Sequence, residues 1–362
     1  MIKFFDYSIE YKKIEKEILK SIKKVLDSGI LILGDELEKL ENNIASFIGQ
    51  KFAIGVNSGT DALTLGLRAF GFLQNSEVIT VSNTTVPTIA AVRNAGLTPV
   101  FIDINPDTFQ IDETKIIEKI NNNTKAIVVV HLYGYPAAID KIIQICKKYK
   151  LKLVEDCAQA FGSKYNNKYL GSFGDISCFS FYPTKNLSAY GDAGMCLTSN
   201  TEYYNNLKLL RFYGYKENKP ISYIEGFNSR LDEIQAAILN VKLKYFDNYI
   251  FEKKRIANIY FENIENAKIV LPPKIEDVIL HLFVIRTKYR DELIKYLYNK
   301  GIETKIHYPM PVHLMPAYSF LNYKQGSLPK TEFISKQILS LPFYYGLSKT
   351  NQKTIIYALN NF

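Results

Sequence analysis

A lysine follows an apolar, strand-like segment and a proline-containing turn in the sequence SCFSFYPTKNL at residues 177–187. Aromatic neighbours remove a lysine from water, which disfavours its charged form and leaves an amine that can attack a carbonyl group. Lys185 is therefore a candidate nucleophile, although this segment alone is also typical of a surface lysine that extends into solvent. The sequence YGDAG at residues 190–194 follows, and its glycines indicate that the backbone passes close to a neighbouring group.

A second candidate, Asp156, ends the strand-like segment 151–156. Ligands of open α/β sheets bind beyond the carboxyl ends of the strands, where this carboxylate falls. There it could pair with a pyridinium nitrogen and keep it protonated, which makes the ring an electron sink. Taken alone, Asp156 is explained more simply as the N-cap of a helix.

A third segment, NSGTDAL at residues 57–63, joins the end of a strand to the start of a helix. The free N–H groups and the positive dipole end of a helix N-terminus can hold a phosphate group. Thr60 or Asp61 would also cap an ordinary helix, so this segment is weak evidence by itself. It is not a P-loop, and the chain contains no dinucleotide-binding G-x-G-x-x-G turn, which argues against a nicotinamide dehydrogenase.

Strand-like and helical segments alternate over roughly the first 200 residues. Continuous β-branched runs, such as AIVVVH at residues 126–131, predict strands that are buried on both faces. The intervening helices, for example at residues 61–70 and 139–149, predict a largely parallel sheet that is covered on both sides. The sequence therefore predicts an α/β fold.

The pattern changes near residue 228, where residues 230–263 predict one long helix or a bent pair. A strand (280–286), a helix (291–300), an irregular Tyr/Pro/His segment (307–318) and a terminal helix from about residue 350 follow. We therefore predict a large domain over residues 1–245, with an N-terminal helical segment, and a smaller domain over residues 246–362.

The composition is that of a globular protein, with 47% apolar and 22% charged residues. The net charge of +9 comes from lysines scattered among acidic residues, which argues against nucleic-acid binding and suits an anionic small substrate. The N-terminal sequence lacks an apolar leader, and no apolar run reaches the ~18 residues of a membrane span, so we expect a cytoplasmic protein. None of the four cysteines forms a C-x-x-C pair, and all but Cys146 lie in apolar, strand-like segments, as small buried hydrophobic residues do: Cys157, Cys178 and Cys196.

Together the segments near residues 60, 156 and 185 resemble the DegT-type (DegT/DnrJ/StrS) nucleotide-sugar aminotransferases. The matching motifs run in family order along most of the chain: SGTDAL (58–63), VEDCAQAFG (154–162), SFYPTKNL (180–187), YGDAG (190–194), GFNSRLDEIQAAIL (226–239) and HYPMPVHLMPAY (307–318). The resemblance implies a fold-type I, aspartate aminotransferase-like structure. Its large domain would hold a mostly parallel sheet, and its smaller C-terminal domain would be α+β.

The resemblance also implies roles for individual residues. Lys185 would hold pyridoxal 5′-phosphate as a Schiff base and move a proton between cofactor and sugar, while Asp156 would pair with the pyridine nitrogen. Gln159 would lie near the phenolic oxygen of the ring. The phosphate would be held by Ser58, Gly59, Thr60 and Ser180, and by Asn228 of a neighbouring subunit. The last assignment implies a homodimer with shared active sites, whereas the residues themselves suggest only that Asn228 caps a helix.

Substrate contacts are expected from four further residues: Tyr182, His307, Tyr308 and His313. His307 and Tyr308 resemble the sugar-nucleotide contact region of the family, and His313 is the weaker candidate. The spacing of His131, His307 and His313 is not that of metal ligands, so we predict no metal site.

Two residues depart from the family pattern. Many members place an aromatic side chain over the pyridine ring, and our alignment puts Val86 at that position. Either Val86 packs on the ring or another residue does. Phe161 stands where relatives often carry histidine.

The implied reaction is an amino transfer from L-glutamate, through pyridoxamine phosphate, to a ketone of a nucleotide-linked sugar. The segments TTVPTIAAV and SFYPTKNL are most similar to members that act on C3 of a dTDP-linked 3-keto-6-deoxyhexose, for surface glycan synthesis. Alternatives are a UDP-linked 4-keto sugar and a non-catalytic regulatory relative. Lys185 argues against the dehydratase branch of the family, which carries histidine there.

Overall fold

The computed structural model describes residues 1–216 and 219–362, within which the chain forms eleven α-helices and eleven strands. The helices are α1 (Ser8–Ser28), α2 (Asp35–Ile48), α3 (Gly59–Arg68), α4 (Val86–Asn94), α5 (Ile139–Tyr149), α6 (Thr201–Leu210), α7 (Glu233–Lys244), α8 (Phe246–Asn263), α9 (Arg290–Asn299), α10 (Pro329–Ser335) and α11 (Lys349–Asn360). The strands are β1 (Phe52–Val56), β2 (Glu77–Val81), β3 (Thr98–Ile102), β4 (Thr124–Val130), β5 (Lys152–Asp156), β6 (Lys164–Tyr165), β7 (Lys168–Tyr169), β8 (Ile176–Ser180), β9 (Gly194–Thr198), β10 (Phe283–Arg286) and β11 (Ile338–Leu341).

The central sheet has seven strands in the order β1-β9-β8-β5-β4-β2-β3. Every neighbouring pair is parallel except the two pairs that contain β9, which runs antiparallel to both β1 and β8. The prediction of a largely parallel α/β sheet is confirmed. The sequence analysis did not predict β9. The chain passes from β8 to β9 through residues 181–193 without a helix, and neighbouring strands that lack a crossover helix are usually antiparallel.

Both faces of the sheet are covered, as the continuous apolar runs predicted. On β4, Ala126 and Val128 belong to the apolar core on one face, together with helix α3, whereas Ile127 and Val129 belong to the core on the other face, together with helix α5. Alternate residues of a strand point to opposite faces, so a strand that is buried on both must be apolar throughout.

The segment 230–263 is a bent pair rather than one helix, because α7 ends at Lys244 and α8 begins at Phe246. Beyond it, β10 pairs with β11 in a separate antiparallel sheet, and β11 was not predicted. The division into residues 1–245 and 246–362 remains our proposal. The first residues also contact the C-terminal part of the chain, since Ile2 pairs with Ile302.

The four cysteines are free and buried, which was expected of Cys157, Cys178 and Cys196 but not of Cys146. Among the helices that the structure describes, none is both long and apolar enough to cross a bilayer.

Candidate active site

The carboxyl ends of the parallel strands meet at one edge of the central sheet, where they border a cleft of about 530 Å³. The chain after β1, β2, β5 and β8 contributes one side of this cleft, and residues 281–308 contribute much of the other. Nine residues that were assigned to the site from the sequence line it: Ser58, Gly59, Thr60, Asp156, Ser180, Tyr182, Lys185, His307 and Tyr308.

Lys185 lies in the turn after β8, where its backbone N–H donates to the carbonyl oxygen of Tyr182 at 2.8 Å. Burial lowers the pKa of Lys185 to about 8, although the nearby Asp156 carboxylate acts in the opposite direction. The sequence predicted such a shift from the apolar surroundings. A larger share of the amine is therefore neutral, and able to attack a carbonyl, than at an exposed lysine.

Asp156 ends β5 and is 3% exposed. Its Oδ2 accepts a hydrogen bond from the Thr88 hydroxyl at 2.8 Å, and its Oδ1 accepts one from the Ala158 N–H at 3.1 Å. Burial raises the pKa of Asp156 in spite of these hydrogen bonds and of the positive charge of Lys185. A cationic N–H in the cleft would compensate for the burial of this carboxylate.

The N-terminus of α3 faces the same cleft. Ser58 is the N-cap, and its hydroxyl accepts a hydrogen bond from the Asp61 N–H at 3.1 Å. The N–H groups of Gly59 and Thr60 have no acceptor among residues 1–216 and 219–362. These two donors and the positive end of the helix dipole form a site for an anion, and phosphate is the anion that such sites commonly hold.

Close backbone packing fixes this helix start against two neighbouring strands. A Cβ atom added to Gly59 would lie 2.6 Å from the Ser180 Cβ, and one added to Gly194 would lie 2.2 Å from the carbonyl oxygen of Ser58. The close approach that was predicted for the YGDAG segment is therefore made by Gly194 against Ser58. Only glycine fits at either position without displacement of its neighbours.

Gln159 holds an aromatic side chain of the opposite wall. Its Oε1 accepts from the Tyr133 N–H at 2.8 Å, and its Nε2 donates to the Tyr308 hydroxyl at 2.9 Å. His307 has its Nδ1 at 2.9 Å from the Ser340 hydroxyl and stacks on Phe4. Burial, with the charges of Lys305 and Lys185, lowers the pKa of His307 to about 4, so the imidazole is neutral at physiological pH.

This geometry agrees with the comparisons with known proteins. The DegT/DnrJ/EryC1/StrS aminotransferase profile matches residues 12–360, nearly the whole chain. The chain belongs to this family. The cofactor is accordingly pyridoxal 5′-phosphate, which alternates with pyridoxamine phosphate.

Relatives and a solved structure cover the chain from end to end. A dTDP-3-amino-3,6-dideoxy-alpha-D-galactopyranose transaminase of Aneurinibacillus thermoaerophilus is 44% identical and aligns over 100% of this chain and 99% of its own. A protein of Geobacillus stearothermophilus called a pleiotropic regulatory protein is 39% identical, over 100% of this chain and 98% of its own. The crystal structure of S. venezuelae DesV in complex with a ketimine intermediate is 38% identical and superposes with a TM-score of 0.96, over 99% of this chain and 98% of that one. The fold-type I expectation is therefore confirmed.

The residues of the cleft fit the cofactor of this family. The buried Asp156 carboxylate contacts no cation among the described residues, and a protonated ring nitrogen would supply one. The unpaired N–H groups at the start of α3 would hold the phosphate, and Lys185 presents an amine of lowered pKa. The three chemical requirements of the cofactor are thus met within one cleft.

Four expected site residues are not among those that line the cleft: Val86, Gln159, Asn228 and His313. Val86 is the first residue of α4 and is 40% exposed, and Thr85 and Pro87 line the cleft in its place. His313 is 1% exposed and hydrogen-bonds through Nδ1 to the Ser82 hydroxyl and through Nε2 to Glu332, which is typical of a structural histidine.

Asn228 is exposed and pairs through its backbone with Phe212, away from the cleft of its own chain. It does not cap the following helix, because α7 begins at Glu233 and its N-cap is Asp232. Phe161, where relatives often carry histidine, is 3% exposed among aromatic rings that include Phe47 and Phe246.

The sequence analysis missed several residues of the cleft, among them Thr88, His281 and Lys305. Thr88 supports the Asp156 carboxylate from α4, a contact that no local pattern indicates. His281 had a usable signal, because it is the one polar residue in the apolar run VILHLFVI at residues 278–285. A single polar side chain in such a run either has a buried partner or faces a ligand.

His131, Glu155 and Cys157 lie close together, with potential ligand atoms within 4.8 Å of one another. Hydrogen bonding explains this cluster. The Ala137 N–H donates to Nδ1 of His131 at 3.1 Å, so the ring proton is on Nε2, which faces Glu155 at 3.1 Å. Burial raises the pKa of Cys157 well above its usual value and keeps the thiol protonated. An N–H and a thiol are not metal ligands.

Proposed function

We propose that the protein transfers the amino group of L-glutamate to C3 of a dTDP-linked 3-keto-6-deoxyhexose, which yields a dTDP-3-amino-3,6-dideoxyhexose for surface glycan synthesis. The observation that carries the amino transfer is the meeting of Lys185, Asp156 and the free N-terminus of α3 in one cleft. The substrate is supported by the A. thermoaerophilus relative, which is named for a dTDP-3-amino-3,6-dideoxy sugar.

Pyridoxal phosphate, when bound, supplies an electron sink and carries the amino group between the two substrates. Ser58, Gly59, Thr60 and Ser180 would hold its phosphate, and Asp156 its ring nitrogen. Gln159 would lie near the phenolic oxygen of the ring. Its Nε2 donates a hydrogen bond to the Tyr308 hydroxyl.

Lys185 would hold the cofactor covalently through Nζ and would then act as the general base and acid of both half-reactions. Its lowered pKa suits this second role, because an amine that titrates near the working pH both accepts and returns a proton readily. Nζ would take the proton from the α-carbon of the donor and return a proton at C3 of the sugar. Tyr182, His307 and Tyr308 would bind the sugar at the side of the cleft that faces Lys185.

We propose further that two copies of the chain form a homodimer in which Asn228 reaches the cofactor phosphate of the partner. Asn228 is exposed and lies near a segment with several exposed apolar side chains, namely Tyr213, Ile221, Tyr223 and Ile224. An exposed apolar patch of this kind is typical of an interface.

Mixing and re-associating the inactive Lys185→Ala and Asn228→Asp variants would restore activity, because each heterodimer contains one intact site. Sedimentation as a monomer would contradict the dimer.

The regulatory name of one relative raises the alternative of a protein without catalysis. Retention of both Lys185 and Asp156, with the lowered pKa of the lysine, favours the enzyme. A UDP-linked 4-keto sugar is the nearest alternative substrate.

The test is an assay of purified holoenzyme with L-glutamate and either the dTDP-3-keto or the UDP-4-keto sugar, with the amino sugar followed by mass spectrometry. We expect turnover of the dTDP-3-keto substrate. Turnover of the UDP-4-keto sugar alone would refute the proposed substrate, and the absence of amino transfer from any donor would refute the proposed activity.

A further inference from the structure

One polar side chain of the cleft has no partner in the protein. His281 lines the cleft and is 6% exposed. Its Nδ1 is buried without a hydrogen-bond partner, and no other polar group within residues 1–216 and 219–362 bonds to the ring. Because buried polar atoms in proteins are nearly always paired, an unpaired imidazole at the edge of a binding cleft indicates a ligand group that pairs with it.

The backbone on both sides of this ring is fixed. The N–H of His281 donates to the Tyr133 carbonyl at 2.8 Å, and its carbonyl accepts from the buried Lys253 Nζ at 3.1 Å. Lys253 also donates to the carbonyl of Phe343, another residue of the cleft, at 3.3 Å. The imidazole is thus held in place through its main chain. Its Nδ1 is buried, and Nε2, which forms no hydrogen bond with the described residues, is the nitrogen that a ligand in the cleft could reach.

The electrostatic potential around His281 favours the binding of an anion. Burial, together with the charges of Lys185 and Lys253, keeps the pKa of His281 well below its usual value, so the ring is neutral and retains one N–H donor. A carboxylate beside it would gain that hydrogen bond and the attraction of the Lys185 charge, whereas burial lowers the pKa of Lys253 well below its usual value. No arginine is found among the lining residues in the described part of the chain, and Lys305 lies at the exposed mouth of the cleft.

The chemistry of the two substrates decides which anion this is. An amino donor carries its α-carboxylate on the same carbon as the reacting amine, so the carboxylate must lie beside the atoms that Lys185 serves. The phosphates of a nucleotide-linked 3-keto sugar are several bonds away from the ketone. His281 and Lys185 line the same cleft, and His281 therefore suits the α-carboxylate.

We propose that the imidazole of His281 hydrogen-bonds the α-carboxylate of the amino donor and so selects amino acids as donors. This inference rests on the proposed amino transfer. It predicts that loss of the imidazole impairs the donor half-reaction and leaves nucleotide binding intact.

The experiment uses holoenzyme of the wild type and of His281→Leu, with two probes that bind without reacting. Glutarate reports the carboxylate site, and dTDP reports the nucleotide site. We expect His281→Leu to weaken glutarate binding by about 10- to 100-fold, as for a lost hydrogen bond to a charged group, and to change dTDP binding by less than about threefold. The apparent KM for L-glutamate should rise by a similar factor in the single-turnover donor half-reaction.

His281→Gln serves as the conservative variant, because its amide can donate a hydrogen bond, and it should recover part of the glutarate affinity. If the leucine variant does not fold, the same selective loss, smaller in size, is expected in the glutamine variant. Unchanged glutarate binding, or equal losses for glutarate and dTDP, would overturn the role of His281. A wild-type enzyme that reacts with no amino donor would instead refute the proposed function.

Discussion

The two walls of the cleft are built in different ways. One wall consists of residues at the carboxyl ends of strands in a single sheet, such as Asp156 after β5 and Ser180 on β8. The other wall comes from the region 281–343 and from Phe4 near the N-terminus, which meet only through long-range packing. We propose that the polar groups of the first wall bind one constant ligand, the cofactor, and that those of the second wall bind the substrates, which alternate during the reaction.

Their hydrogen bonding differs accordingly. The Asp156 carboxylate has two protein partners and requires only a cation. His281 has none at its ring, and Lys305 forms no ion pair among the described residues. We infer that substitutions on the first wall remove catalysis or cofactor binding, and that substitutions on the second change substrate affinity.

After the loss of Lys185 itself, the largest effect is expected from Asp156→Asn. Without the carboxylate, the ring nitrogen is no longer held in its protonated form, and turnover should fall by about 10²- to 10³-fold. Steady-state kinetics with saturating cofactor measure this loss, and circular dichroism checks that the fold is retained. A loss of less than about fivefold would show that Asp156 only stabilises the protein, through its hydrogen bonds with Thr88 and the Ala158 N–H.

Gly59→Ala should weaken cofactor binding by about 10- to 100-fold, because the added Cβ would lie 2.6 Å from the Ser180 Cβ and would displace the start of α3. Gly66→Ala, in the same helix, is the matched control, since its Cβ meets buried side chains at 3.2 Å and no part of the cleft. It should lower the melting temperature and leave the cofactor dissociation constant unchanged. Similar cofactor affinities in both variants would argue against a phosphate site at Gly59.

The capture of pyridoxal phosphate by apoenzyme should accelerate with pH. Only the neutral amine of Lys185 reacts, and its pKa of about 8 means that the neutral share rises roughly tenfold per pH unit below that value and then levels off. Stopped-flow absorbance from pH 6 to 9.5 measures the profile. A rate that still rises steeply above pH 9, as for an ordinary lysine, would contradict the lowered pKa.

The smallest effect is expected from Lys305→Met on the second wall. An exposed cation at the mouth of the cleft attracts anionic substrates through solvent. Loss of this cation should therefore raise the KM for the anionic substrates by about three- to tenfold at low salt, and by less at 0.5 M salt. Lys295→Met, which removes an exposed lysine from α9, is the control and should have no effect. A salt-independent increase would indicate a direct contact instead.

The first wall could be predicted from the sequence because each of its groups directly follows a strand. The end of β5 places Asp156, and the end of β8 places Ser180 with Lys185 shortly beyond it, without any knowledge of distant contacts. β9 was missed because residues 181–193, which connect it to β8, contain no helix to mark the start of a further strand. Val86 was assigned to the cleft, but the neighbouring residue Thr85 lines it, and a one-residue error at a helix start moves a side chain to another face.

The second wall could not be predicted in the same way, because its geometry depends on partners far along the chain. His281 is fixed by Tyr133 and Lys253, and Tyr308 by Gln159. His313 has the same residue type as His307 and stands six positions later, yet it is committed to Ser82 and Glu332. The sequence ranked His313 below His307 without a structural reason, and these contacts supply the reason.

The central claim is that Lys185 holds the cofactor in this cleft. Purified protein with added pyridoxal phosphate should be yellow, and reduction with sodium borohydride followed by peptide mass spectrometry should locate the cofactor on Lys185. The Lys185→Ala variant should show no labelled peptide and no steady-state turnover. A colourless wild-type protein, a label on another lysine, or normal turnover by the variant would contradict the claim.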